Sequence, residues 1–266
     1  MTATADRVAS SAILEVSGLT KRYSGLVALS EYALQLEAHS IHGVIGPNGA
    51  GKTTLFNLLS GMVRPTTGAI RLFGVDVTDH EAHEVTRAGI ARTFQNIRLF
   101  GEMSVLDNVK VAVQLRMPIG LIPTLLSSPS FRRHEAAVTA RAMEILDRMG
   151  LGGVADRAAT SLPYGDQRRL EIARAVATEP QILLLDEPNA GMNPTETADL
   201  LGLIRRLRDE LDLTIILVAH DIPLVMNLCD RIQVLNYGEL IADGPPATVR
   251  NDPAVITAYL GQASHA

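Results

Sequence analysis

Eight consecutive residues, Gly46-Pro47-Asn48-Gly49-Ala50-Gly51-Lys52-Thr53, carry the pattern G-x-x-x-x-G-K-[ST]. Glycines let the backbone curl so that successive N–H groups converge on phosphate oxygens. A helix opening directly after such a loop adds its unpaired N–H groups and the positive end of its dipole to the same anion. In this pattern Lys52 reaches the β- and γ-phosphates of a nucleoside triphosphate and Thr53 offers a hydroxyl to Mg²⁺. The flanks agree, since the apolar run His42–Ile45 reads as a strand and Thr54–Leu59 as the helix, with Thr54 counted among the phosphate-binding residues.

A second element of the same chemistry lies far along the chain. Ile182-Leu183-Leu184-Leu185-Asp186-Glu187-Pro188 is an apolar strand that ends in two carboxylates. Ligands of open α/β sheets bind at the carboxyl ends of strands, which is where such a strand delivers its terminal acids. Asp186 is then placed to hold Mg²⁺ and Glu187 to polarise the attacking water as general base. Without other context the two acids could simply begin a solvated loop; with a phosphate loop upstream, the pair reads as a triphosphatase site.

The elements that must position these groups are visible as apolar runs. Ile13–Val16, Leu34–Leu36, His42–Ile45, Ala69–Phe73, Ile182–Leu185, Thr214–Val218 and Ile232–Leu235 read as strands. Gly51–Gly61, Glu135–Met149, Gln167–Thr178, Glu196–Leu211 and Ile222–Leu228 read as helices, with a further one expected over Asp79–Arg87. Strands alternating with helices in the first and last thirds predict a mostly parallel sheet covered on both faces. From about Ser104 to Thr178 only helix signals occur, which predicts a helical lobe inserted into an α/β core. Within it, Arg116–Arg133 carries Pro118, Pro123 and Pro129 and reads as a loop or interrupted helix.

Composition bounds the rest. The 266 residues are 47% hydrophobic and 20% charged, with a formal net charge of −5, and this balance argues against a general nucleic-acid binder. The single cysteine, Cys229, forms no internal disulfide and no zinc cluster. Residues 1–11 are polar and small, and are expected to be a flexible N-terminus without a secretory signal. No run approaches the about 18 apolar residues of a membrane span. His80 and His83 lie three apart on the helix expected over Asp79–Arg87, where a solvated face is the simpler reading than a metal pair.

The residues between and after the two acidic and basic motifs narrow the class. Leu162-Pro163-Tyr164-Gly165-Asp166-Gln167-Arg168-Arg169-Leu170-Glu171-Ile172-Ala173-Arg174-Ala175 resembles the signature segment of ABC transporter ATPases, usually L-S-G-G-Q followed by a helix with I-A-R-A. His220 looks like that family's switch histidine, Gln95 in Thr93-Phe94-Gln95-Asn96 like its lobe-joining glutamine, and Tyr23 stands where the family stacks an aromatic ring on adenine. The resemblance covers nearly the whole chain in the family's order. It implies one ABC ATP-binding domain over residues 12–266, with a P-loop NTPase sheet core and a helical subdomain at about 97–178.

By this resemblance ATP and Mg²⁺ are the ligands. Tyr23, Gly46–Thr53, Thr54 and Gln95 hold ATP; Thr53, Gln95 and Asp186 hold Mg²⁺; Lys52, Glu187 and His220 are catalytic. Leu162, Pro163, Tyr164, Gly165 and Asp166 close over the phosphate loop of a second chain, and Asn189–Asn193 crosses that interface. The signature departs from the common form. Pro163 removes a hydroxyl and an N–H, Tyr164 replaces a glycine and Asp166 replaces glutamine, which leaves helix-end geometry to bind the anion, with Asp166 suited to cap that helix.

Several stretches are similar to one subgroup, the larger ATPase of bacterial branched-chain amino acid importers. They are Arg92–Phe100, Leu162–Arg174, Glu187–Pro194, the proline-bearing segment at 117–131 and Val255–Gly261. That likeness implies two membrane permeases, a second related ATPase or a second copy, and indirectly a periplasmic solute-binding protein. It places the chain peripherally on the cytoplasmic face of the inner membrane. Related systems for urea, amides or aromatic acids, and a lipopolysaccharide-type exporter, remain open as alternatives.

Overall fold

A computed structural model describes residues 12–119, 129–219 and 221–263. The expectations for residues 1–11, for most of the proline-bearing segment and for His220 lie outside these residues.

Two sheets face each other. The first runs β2-β1-β4-β5 and is antiparallel throughout: β1 (Ala12–Tyr23), β2 (Leu26–Glu37), β4 (Thr67–Leu72) and β5 (Val75–Asp76). Along β2 the buried Tyr32, Leu34 and Leu36 alternate with exposed neighbours, as a strand with one wet face requires. The second sheet runs β10-β9-β3-β8-β7-β6. Its members are β3 (Ile41–Ile45), β6 (Ile90–Arg92), β7 (Ile182–Asp186), β8 (Thr214–Val218), β9 (Arg231–Asn236) and β10 (Glu239–Gly244). Every pairing in it is parallel except β9 with β10.

This divides the single mostly parallel sheet expected from the strand runs. Two-residue turns join β1 to β2 and β4 to β5, and after β3 and the helix that follows it the chain returns β4 beside β1, so these strands form their own antiparallel layer. The two short strands β5 and β6, and β10, carry too few apolar residues to stand out in the sequence.

β3, β7 and β8 are buried at every position, and their alternation sorts them onto two cores. Ile41, Ile45, Leu183, Leu185, Ile215 and Leu217 face one cluster, with the helices that follow. Val44, Leu184, Ile216 and Val218 face the other, against the antiparallel sheet and Leu55, Phe56 and Leu59 of α1 (Lys52–Leu59). Each such side chain contributes about 1.5–3 kcal/mol by leaving water. Gly43 marks a tight approach, since a Cβ there would lie 2.7 Å from Val225 of α7 (Ile222–Leu228) and 2.9 Å from the Cys229 sulfur.

α2 (Ala82–Ala88) starts later than expected: Glu81 forms a capping box with Glu84, so His80 precedes the helix and does not share a face with His83. Between β6 and β7 the described residues hold α3 (Val105–Val113), α4 (Pro129–Arg148) and α5 (Tyr164–Val176) with short 3-10 turns at Gly152–Val154 and Ala159–Ser161. Among the described residues α4 runs from Pro129, inside the stretch read as a loop or interrupted helix. Its buried Val138, Ala142, Ile145 and Leu146 line one helical face. The chain closes with α6 (Pro194–Leu211), α8 (Pro246–Arg250) and α9 (Pro253–Ala263). No helix among the described residues is long and apolar enough to cross a membrane.

Candidate active site

The turn after β3 needs left-handed backbone at three positions, and glycine supplies each: Gly46 at φ 154°, Gly49 at 79° and Gly51 at 104°. Space demands it as well. A Cβ on Gly46 would collide with the Leu235 carbonyl, and one on Gly51 would lie 2.6 Å from the Ala28 carbonyl. The loop is therefore clamped between β2 and β9, and Gly238 N–H donates to Ala50 O at 2.9 Å. α1 opens immediately after Gly51 with no acidic residue in its first turn, so its N-terminal N–H groups meet no competing side-chain carboxylate there.

Lys52 is buried and folds back over the loop, its Nζ donating to Gly46 O at 2.6 Å and Pro47 O at 2.9 Å. Burial lowers its pKa, while the charges of Glu187 and Asp186 oppose that shift. Thr53 is exposed beside it. A cleft of about 520 Å³ gathers Tyr23, Asn48–Thr54, Gln95 and Glu187 on one surface. A glycine loop of convergent N–H groups, a buried ammonium and a helix start fit a phosphate chain.

β7 delivers Asp186 and Glu187 beside this loop. Glu187 turns the chain out of the sheet at φ 47°, an uncommon region for a side-chain-bearing residue, and its N–H donates to Val218 O at 2.9 Å. Gln95 Nε2 donates to Glu187 Oε2 at 2.9 Å, so residues 92 positions apart meet. Asp186 is buried against Arg92, whose Nη2 donates to Asp186 Oδ2 at 2.8 Å. Arg92 Nη1 also donates to Asn57 Oδ1 at 2.7 Å and Ser60 Oγ at 3.1 Å, joining α1, β6 and β7. In the sequence Arg92 is marked only by opening the Arg92–Phe100 stretch, three residues before Gln95, and nothing there points to Asp186.

Among the described residues no group of three or more His, Cys, Asp or Glu could hold a metal ion by itself. One carboxylate, a threonine hydroxyl and phosphate oxygens suit Mg²⁺, which seldom uses an all-protein cage.

α5 begins at Tyr164 with Pro163 as its cap residue, so Asp166 sits within the first turn rather than at the cap. This corrects the expected capping role: the helix starts three residues earlier than expected, at Tyr164, with Pro163 in the cap position. Asp166 Oδ1 lies 3.9 Å from Arg169 Nη1 on its own helix. None of Leu162–Asp166 lines the phosphate cleft of the same chain. Asn193, expected at an interface, caps α6, its Oδ1 accepting from Glu196 N–H at 3.0 Å. Gly191 packs under Tyr164, where an added Cβ would lie 3.3 Å from the ring.

α5 also grips the Gln95 segment. Fully buried Arg168 donates to Phe94 O at 2.7 Å and Gln95 O at 2.8 Å, and pairs with Glu171 at 2.7 Å. Glu171 in turn accepts from Phe94 N–H at 3.2 Å. Burial pushes the Glu171 carboxyl up, and Arg168 opposes it. The tail noted in the sequence returns to the loop: the Tyr259 hydroxyl of α9 meets the Gly46 backbone, and burial raises its pKa to about 12.

An α/β sheet with a glycine cradle, a buried lysine and a strand-end acid pair defines a P-loop nucleotide-binding protein. Residues 29–190 match the family described as ABC transporter, and residues 239–265 match that described as branched-chain amino acid ATP-binding cassette transporter. The high-affinity branched-chain amino acid transport ATP-binding protein BraF of Pseudomonas aeruginosa is 48% identical over 251 residues, 94% of this chain and 98% of that relative. The ADP conformation of MJ1267, an ATP-binding cassette of an ABC transporter, superposes with a TM-score of 0.81 at 29% identity, covering 94% of this chain and 99% of that one. A dimeric post-hydrolysis state of the cassette MJ0796 bound to ADP and Pi gives a TM-score of 0.74 at 25% identity over 88% and 98% of the two chains. The chain belongs to the ATP-binding cassette family of transporter ATPases.

Proposed function

We propose that this chain hydrolyses ATP to power uptake of branched-chain amino acids through membrane permease partners, as one half of a pair of cassettes. The observation that carries the hydrolytic part is the Gln95–Glu187 hydrogen bond at the mouth of the phosphate loop. Lys52 and the Gly46–Thr53 backbone hold the phosphates, Tyr23 takes the adenine, and Thr53, Gln95 and Asp186 hold Mg²⁺. That ion would neutralise charge on the phosphoryl group being transferred. Glu187 accepts the proton of the attacking water. His220, whose role rests on the family resemblance, assists at the γ-phosphate.

Pairing is supported by the position of Leu162–Asp166, which line no part of the cleft in their own chain. Closing them over a second chain's loop completes two sites at once, and the similar cassette MJ0796 is dimeric in a post-hydrolysis state with ADP and Pi. Phe94 and Gln95, held by Arg168, link nucleotide state to the helical lobe at about 97–178, which passes motion to the permeases. ATP shifts the population toward the closed pair because it binds that form more tightly. A second related ATPase, or a second copy, supplies the other half. The permeases hold the chain at the cytoplasmic face of the membrane, with a solute-binding protein acting on their far side.

Solute choice rests on the similarity to BraF and on the match over residues 239–265. Uptake of labelled leucine, urea, a short amide and an aromatic acid by cells lacking this chain, restored by the wild-type gene and not by Glu187→Gln, tests it. Loss of leucine uptake alone is expected; loss confined to one of the other solutes moves the chain to that system.

A further inference from the structure

β9 and β10 are joined by a two-residue turn, Tyr237-Gly238, with Asn236 paired to Glu239. Both turn residues have positive φ, 47° and 83°, as a type I′ hairpin turn requires. Asparagine, aspartate or glycine is favoured at the first of these positions, because a bulky residue pays a steric penalty there. A tyrosine in that place contradicts local turn chemistry. Nor does it gain by packing: Tyr237 is 81% exposed, the most exposed large hydrophobic side chain among those described.

The backbone beneath it is fixed tightly against the phosphate loop. Gly238 N–H donates to Ala50 O at 2.9 Å, and Ser30 N–H donates to Gly238 O at 2.8 Å. A Cβ on Gly51 would lie 3.4 Å from the Gly238 Cα, and one on Gly238 would lie 3.0 Å from the Ala28 carbonyl. The hairpin tip therefore holds the Tyr237 ring beside the loop, where it lines the same cleft as Tyr23, Leu26 and Lys52. Tyr23 is itself 43% exposed, with Lys21 Nζ 5.1 Å from its ring centre. The cleft thus joins an anion cradle to two solvent-exposed aromatic rings. That combination suits a ligand with a charged tail and a flat apolar head.

We propose that Tyr237 is a second base-binding residue, an aromatic wall that stacks with the base of the bound nucleoside triphosphate alongside Tyr23. The proposal rests on the reading of this cleft as the ATP site. Stacking is insensitive to hydrogen-bonding pattern, so Tyr237 strengthens the hold on any purine nucleotide rather than selecting adenine. The positive φ at position 237 is the local cost of holding a ring over the loop.

Calorimetric titration of the full chain with Mg·ATP and with Mg·tripolyphosphate, which has no base, tests this. Tyr237→Asn restores favoured turn chemistry, so the variant keeps its fold. It is expected to weaken ATP binding by about fivefold or more, the lower end of the range for one base–aromatic stack. Tripolyphosphate affinity is expected to stay unchanged, and Tyr237→Phe to bind ATP as wild type does. An equal loss for ATP and tripolyphosphate, or a Tyr237→Phe loss as large as that of Tyr237→Asn, overturns the proposal. Unchanged ATP binding in Tyr237→Asn together with a loss in Tyr23→Ala removes Tyr237 and leaves the ATP site standing. Unchanged ATP binding in both variants removes the base site altogether.

Discussion

Arg92 sets a fixed positive charge against Asp186 in a place where both side chains are nearly dry. Its planar fork reaches Asn57, Ser60 and Asp186 together, and the rings of Phe56 and Phe94 flank it at 5.5 and 5.3 Å. Lysine offers one compact point charge and cannot span three partners on two elements. Arg92→Met leaves a buried carboxylate without its cation and is expected to cost about 3–5 kcal/mol of stability. Urea unfolding of that variant beside Arg92→Lys measures it: the lysine form should retain part of the loss, and an unfolding midpoint equal to wild type in Arg92→Met would show that the ion pair carries little. At the same scale, Lys52→Ala removes the buried ammonium from the cradle. ATP binding itself should disappear, read by calorimetry.

Among the elements, β3 couples the loop to the far edge of the sheet. Its His42 is buried, with Nε2 lacking a hydrogen-bond partner, and burial lowers the imidazole pKa to about 4. Asp243 and a hydrogen bond with Gln233 act the other way, while Arg231 adds to the depression. The unfolded chain would protonate near 6.5 and the folded chain near 4, so the unfolded state takes up the proton first as pH falls. Stability is therefore complete above pH 6.5 and drains away toward pH 4, by about 2 kcal/mol between pH 7.5 and 5. His42→Gln should remove that share of the slope, and an unaltered pH dependence of the urea midpoint would assign the slope to other groups. α5 is the second element with a defined task. Arg168 and Glu171 hold the carbonyl and the N–H of Phe94, so Arg168→Met should loosen Gln95 more than it loosens the phosphate loop. The expected readout is a fall in kcat larger than any rise in KM for ATP.

For the whole molecule, one chain presents its cleft and its Tyr164–Asp166 helix start on separate surfaces. Glu187→Gln keeps the phosphate contacts and removes the base. It should lower turnover by about 10²–10⁴-fold and accumulate an ATP-bound pair, seen as a doubled mass in light scattering. Normal turnover in this variant would place the base elsewhere. If the chain pairs only with a related ATPase, the doubled mass appears only after that partner is added.

Local pattern determined much of this by itself. Gly46–Thr53 fixes a phosphate loop because its glycines and lysine act within eight residues, and Ile182–Glu187 fixes a strand with acids at its end because burial on both faces demands a continuous apolar run. The boundaries of α5 and α2 were less legible. A proline cap and a glutamate capping box set them, and both compete with plausible neighbours one turn away. The separate antiparallel sheet could not be read, since an apolar strand run does not say which strand it will pair with. Tertiary structure alone decided that Arg92 meets Asp186, that Arg168 grips Phe94 and Gln95, and that Tyr237 stands over the loop. Those partners are brought together by sheet order and helix packing, and contacts between residues so far apart leave no period or spacing in the chain.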